Sequence, residues 1–197
     1  MITLSRRIAL TLFTFGLLLA LGLVAVQARG LPGTGAQPLP ADLATPAGAA
    51  VMALTGPEPI HALAELGAPP RIVLGYDPVI IDGAPANPRG GCSTPVPLPD
   101  RFEPLCKIHD LGYDLLRMAA RSGRPLGPWA RQRLDHALVE AMHGSCTDPV
   151  CEIGADLADV GLWVNTWRQR ASVPVTHEDM GSIALSVVVR AAESTAR

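Results

Sequence analysis

A chain of 197 residues is long enough for one domain of ordinary size, and no long internal repeat divides it. Lysine and arginine total 16 against 18 aspartates and glutamates, a net charge of −2, so no basic surface is available to engage nucleic acid. Apolar residues make up 48%, much of that in one block at the start of the chain.

In that block Arg6 and Arg7 precede an uncharged run from Ile8 to Val26, followed by Val26-Gln27-Ala28, a small-residue pattern of the kind cut by signal peptidase. Residues 1–28 read as an export signal cleaved after Ala28. Residues 8–26 also reach the length that spans a bilayer, so the alternative is a retained N-terminal membrane anchor. Either places the protein outside the cytoplasm, secreted or membrane-held. Cleavage would remove two of the 16 basic residues and no acid, leaving 14 against 18, about −4.

Residues 29–48 are rich in Pro, Gly and Ala and read as a linker. The remainder, 49–197, reads as one helical domain with its core over 86–170. Two short helices are predicted in "PAGAAVMALTG" and "PEPIHALAELG", each stopped by glycine. "RIVLGYDPVIIDG" carries β-branched residues between Pro and Gly and predicts one or two short extended stretches. "NPRGGCSTPVPLPDRF" reads as a loop, with Asp100 the N-cap of a helix over about 101–120. A second helix starts near Pro128 and runs through "WARQRLDHALVEAMHGSC". In a third, Ile153, Leu157, Val160, Val164 and Trp167 form a stripe expected to face the core, and core packing is the expectation for Trp129 and Trp163 too. The tail reads as strand by its alternating Ile183, Leu185, Val187 and Val189, and as helix by its ends.

The four cysteines of an exported chain are expected to oxidise. Of the three possible pairings, Cys92 with Cys106 and Cys146 with Cys151 join near neighbours. Closing a loop of roughly 15 residues between the first two contributes about 3 kcal/mol in the chain-entropy model.

In "CKIHDLGYD" helical steps of three and four bring Cys106, His109, Asp110 and Tyr113 onto one stripe. Direct ester hydrolysis requires a base for water, a group that orients the base, and positive charge at the oxyanion. His109 is the candidate base and Asp135, on the second helix, its candidate orienting carboxylate, with Tyr113 tying the helices by a hydrogen bond to Asp135. Asp110 beside the Gly90-Gly91 loop is a candidate calcium site, since Ca²⁺ takes six to eight oxygens from carboxylates and carbonyls. His61, His136, His143 and His177 lack such company and read as structural.

The motif "CKIHDLGY", together with "RQRLDHALVEAMHGSC", resembles the secreted phospholipases A2, most closely their short prokaryotic and fungal branch. The resemblance covers about residues 90–167. It implies a mainly α fold in which two long antiparallel disulfide-linked helices carry the site, with a third helix and a Gly-rich loop. It further implies a calcium-dependent esterase that cleaves the sn-2 ester of phospholipids at a membrane or micelle surface. In that family the histidine is the base, the next aspartate binds Ca²⁺ and the aspartate of the facing helix orients the histidine; here these are His109, Asp110 and Asp135. One position departs: the branch has an acidic calcium ligand two residues before the first cysteine, where this chain has Gly90, and Asp82 or Asp100 is the candidate substitute. No obligate protein partner is implied. Two other readings remain: an inactive relative that binds lipid or protein, and a zinc-stabilised module with ligands from Cys106, His109, Cys146 and Cys151.

Overall fold

Prolines start most of the helices. In the computed structural model, which describes residues 37–94 and 96–195, α1 (Pro40–Leu43), α2 (Pro46–Leu54), a 3-10 stretch (Pro59–Leu66) and α3 (Pro70–Val73) each open on Pro, whose fixed φ suits a first turn and whose missing N–H is not needed there. The fold is mainly α. The expected signal or anchor at residues 1–28 lies outside the described residues. Among the described residues no helix is long and apolar enough to cross a membrane.

The expected linker ends earlier than its composition predicts. From Pro40 the chain is helical, and Asp42 accepts hydrogen bonds from the Gly127 backbone N–H (3.0 Å) and Trp129 Nε1 (2.6 Å). Thr45 caps α2 by accepting from the Gly48 N–H at 3.0 Å, and Ala47 and Gly48 are buried. The "PEPIHALAELG" segment forms a 3-10 helix ended by Gly67 at φ 69°. Within the predicted extended region, Pro70–Val73 is a helical turn, and the strands are β1 (Val79–Ile81) and β2 (Ala84–Ala86), an antiparallel hairpin whose turn residues Asp82 and Gly83 both have positive φ.

A 3-10 turn, Asp100–Phe102, leads into α4 (Glu103–Arg121); Asp100 makes no capping bond, because the helix proper starts three residues later, after Phe102. Next come α5 (Pro128–Ser145), α6 (Pro149–Arg168), capped by the Asp148 carboxylate at the N–H groups of Val150 and Cys151, and α7 (Met180–Thr195). The tail is thus helical.

Side-chain bonds fix the order of the helices. His109 and Tyr113 of α4 meet Asp135 of α5, while Phe102 near one end of α4 shares a cluster with Met142 near the opposite end of α5, so the two run antiparallel. They approach closely at Gly112, where a Cβ would stand 2.4 Å from Leu134 Cδ2. Val51, Leu66, Leu111, Leu115, Trp129 and Leu134 form one core cluster, and Phe102, Leu138, Met142, Cys151 and Ala155 form another. His109 and Asp135 stand where the two clusters adjoin along the helix pair.

Disulfides join Cys92 to Cys106 and Cys146 to Cys151, the pairing expected from proximity. Neither links α4 to α5, as the family expectation had it: the first pins the glycine loop to α4 and the second closes the α5–α6 turn, because each bridge connects near neighbours in sequence. Such bonds persist in oxidising compartments, in keeping with a location outside the cytoplasm. With all four cysteines paired, none remains to ligate zinc, which removes the zinc-module reading.

The expected core stripe of α6 is also corrected. Ile153 is 58% exposed and Leu157 51%, while the buried face is Cys151, Gly154, Ala155 and Ala158. These small residues let α6 lie close against Phe102 and Met142; Ile153 and Leu157 are turned outward, while Val160, Val164 and Trp167 of the expected stripe are half-buried. Trp129 is buried as expected, but Trp163 is 37% exposed.

Candidate active site

α4 and α5 bring a small group of polar side chains together between their apolar faces. His109 and Asp135 are both 8% exposed, and His109 Nε2 stands 2.9 Å from Asp135 Oδ1. Tyr113, one turn beyond His109, donates from Oη to the same oxygen at 2.7 Å, and its ring tilts against the imidazole with centroids 4.1 Å apart. Thr166 of α6 donates to Asp135 Oδ2. Asp135 thus accepts on both oxygens, which holds its plane and gives the buried carboxylate the partners that burial requires. Burial and the adjacent Asp135 charge push the Tyr113 hydroxyl well above its ordinary value, so it stays a donor.

The carboxylate fixes the imidazole's tautomer. With Nε2 carrying the hydrogen donated to Asp135, the lone pair lies on Nδ1, the ring nitrogen turned away from α5. A base held this way, braced by a hydrogen-bonded carboxylate, is the arrangement that removes a proton from water or a hydroxyl.

Asp110 lies on the adjoining face of α4, against the loop pinned by Cys92–Cys106. Its Oδ2 accepts the Gly91 N–H at 2.8 Å, and a Cβ at Gly90 would stand 2.6 Å from the same oxygen. Position 90 is therefore a cradle that only glycine leaves open, and it has no room for the family's acidic side chain while Asp110 holds this rotamer. Burial raises the Asp110 carboxyl above its ordinary value, partly offset by the Gly91 N–H. A desolvated carboxylate beside side-chain-free backbone fits a hard cation. The charge count is low: among the described residues no three His, Cys, Asp or Glu side chains gather to hold a metal.

Of the candidate substitutes for the missing acid, Asp82 sits in the hairpin turn, and Asp100 lines a surface cavity of about 520 Å³ that Cys92 and Glu103 also line. A second carboxylate bonded to the loop, besides Asp110, is Glu103, which accepts the Cys92 N–H at 3.1 Å. The family models, the curated proteins and the solved structures compared with this chain contain no match.

Sequence reasoning missed several groups that hold the site. Asp114, one turn past Asp110, accepts from Tyr76 Oη (2.7 Å), Asn87 Nδ2 (2.9 Å) and Arg117 Nη1 (2.8 Å), tying the hairpin and the approach to the loop onto α4. Burial, then the bond to Asp114, pushes the Tyr76 hydroxyl far up. Arg131, one turn before Asp135, is 1% exposed; Nη1 bonds the Gln169 side chain and the Ser172 carbonyl, and the guanidinium lies 5.2 Å from the Tyr113 ring centroid. Spacing hinted at both, since Asp114 and Arg131 are each four residues from a site aspartate, but Thr166 gave no signal. Of the other histidines, His61, His136 and His143 pair with Glu58, Glu140 and Glu152 at the surface.

Proposed function

We propose that this chain is a phospholipase A2-like ester hydrolase, with phospholipid at a membrane or micelle surface as substrate. The observation that carries the reading is the buried His109 Nε2–Asp135 Oδ1 contact, with Tyr113 Oη on the same carboxylate oxygen. Nδ1 takes a proton from water, and the resulting hydroxide adds to the carbonyl carbon of the sn-2 ester. The tetrahedral oxyanion collapses, the bond to the glycerol oxygen breaks, and the imidazolium returns its proton to that oxygen, releasing a fatty acid and a lysophospholipid. Asp135 stabilises the imidazolium through the bond it already makes, and Tyr113 and Thr166 keep the carboxylate from turning. Calcium, held by Asp110 and the backbone carbonyls of Gly90 and Gly91, supplies a Lewis acid for the ester carbonyl oxygen when bound.

A second reading is favoured by the backbone N–H groups already seated on the carboxylates at the loop, Gly91 on Asp110 and Cys92 on Glu103: a relative that keeps the scaffold and binds lipid without hydrolysing it. Fatty-acid release from phosphatidylcholine vesicles separates the two. The proposal expects release from the sn-2 position that His109→Ala abolishes while leaving the circular dichroism unchanged, and that chelation suppresses. Vesicle binding without release by the wild-type protein in millimolar calcium would replace it with the second reading.

A further inference from the structure

Behind the dyad, α5, α6 and α7 line a groove of about 590 Å³, and Asp135 and Thr166 form part of its wall. Its direction follows from the bonds between helices. Asp135 meets Thr166 and Arg131 meets Gln169, so α5 and α6 are antiparallel, with Gln132 toward the Arg170 end and Val139 toward Leu162. The middle is apolar: the Trp163 and Trp167 rings stack with centroids 6.1 Å apart and planes 8° apart. At one end Arg170 and Arg190 both bond a single carboxylate, Glu193, and Arg190 also stands 5.9 Å from the Trp167 ring centroid.

Two guanidinium groups on one carboxylate leave positive charge at that end. Asp159 also lines the groove, eleven residues before Arg170; at 1.5 Å per residue that is about 16 Å away. A separation of about twice the Debye length at physiological ionic strength, about 8 Å, keeps Asp159 from cancelling the arginine end. Asp135 keeps its charge, but it is a buried side chain whose oxygens accept from His109, Tyr113 and Thr166, with the Arg131 guanidinium one turn away on α5, and His136, were it protonated, would face Glu140. The groove is thus an apolar trough closed at one end by cationic groups.

We propose that it binds a single-chain anionic amphiphile, with a long-chain carboxylate as the simplest case. The carboxylate meets Arg170 and Arg190, and the chain lies over Trp167 and Trp163 toward Leu162 and Val139. Charge and shape of the groove carry this inference, and it stands whether or not His109 acts as a base.

The test uses the full chain carrying His109→Ala, so that no turnover contributes, titrated with dodecanoate below its micelle concentration and read by tryptophan emission and calorimetry. Saturable binding at one site per chain is expected, at least about tenfold tighter than dodecanol or dodecyltrimethylammonium, as bonds to a charged group imply. Arg170→Gln and Arg190→Gln should each weaken it about tenfold. Val139→Trp, which fills the trough from α5 without touching α7, should abolish it even if the arginine variants loosen α7. Equal affinity for all three amphiphiles, or dodecanoate binding that survives Val139→Trp, would overturn the proposal. Because binding is read without His109, its failure leaves the hydrolytic proposal untouched, and absent hydrolysis leaves binding to be judged by itself.

Discussion

Asp135→Asn isolates the carboxylate's charge with almost no change in volume. In the native protein Oδ1 accepts from His109 Nε2 and Tyr113 Oη, and Oδ2 accepts from Thr166 Oγ1. An amide offers one accepting atom and one donating group. If its oxygen keeps the His109 and Tyr113 bonds, Thr166 must turn its hydroxyl to accept from the amide NH2; the imidazole keeps its tautomer but loses the charge that stabilises its protonated form. If the amide flips, its NH2 faces Nε2 and drives the ring hydrogen to Nδ1, removing the lone pair that water needs. Loss of an orienting carboxylate of this kind lowers the rate by about 10⁴ where the wrong tautomer results, equivalent to about 5.5 kcal/mol, and an effective base alone is worth about 10² to 10⁴. Asp135→Asn should therefore reduce fatty-acid release by about 10² to 10⁴, followed by pH-stat on phosphatidylcholine vesicles. The calcium-induced rise in Tm should persist, since Asp110 is untouched. Activity within about threefold of wild type, well inside the range expected for a removed base, would refute the orienting role, and loss of the calcium response would show that Asp135 serves the metal.

Gly112→Ala places a Cβ where Leu134 Cδ2 stands 2.4 Å away in a buried contact, so overpacking should cost about 1–3 kcal/mol, lowering Tm by roughly 2–4 °C per kcal/mol in thermal melts. Asp110 has a carboxyl raised by burial, so its charged form disfavours the folded state. Below the unfolded value, about 3.9, folded and unfolded chains are both protonated; as pH rises through the folded value the folded state must give up the proton in a desolvated site. Asp110→Asn, which still accepts the Gly91 N–H, should thus match wild type near pH 3 and melt higher than wild type at neutral pH without calcium, a difference read from Tm against pH. Calcium at ten times its Kd should stabilise wild type by about 1.4 kcal/mol and leave Asp110→Asn unchanged. Opening Cys92–Cys106 by a double Cys→Ala substitution should destabilise by about 0.8 kcal/mol more than opening Cys146–Cys151, because its loop is longer, as denaturant titration can measure.

Much of the fold and of the site is legible in the sequence. The stripe Cys106, His109, Tyr113 follows from helical spacing, and Pro128 and Pro149 mark the starts of the helices that face it. The expectations that failed did so for physical reasons. The apolar stripe of α6 has helical period, but period fixes only which residues share a face; the small face Gly154, Ala155 and Ala158 packs closer and wins the interior. Proline and alanine make residues 40–48 look like linker, whereas the bonds of Asp42 to Gly127 and to Trp129, 87 residues away, fasten them to the body. Long-range partners such as Thr166 with Asp135 and Asp114 with Tyr76 leave no trace in local sequence, because nothing short of the folded chain brings them together.

The central claim is that Asp135 holds the hydrogen of the neutral His109 ring on Nε2 and so leaves Nδ1 free to accept a proton from water. Two-bond ¹H–¹⁵N correlation of the imidazole in protein labelled at histidine reads this directly. The neutral ring of His109 is predicted to carry its hydrogen on Nε2, with Asp135→Asn moving it or dividing it between the nitrogens. A ring protonated on Nδ1 in the wild-type protein would contradict the claim.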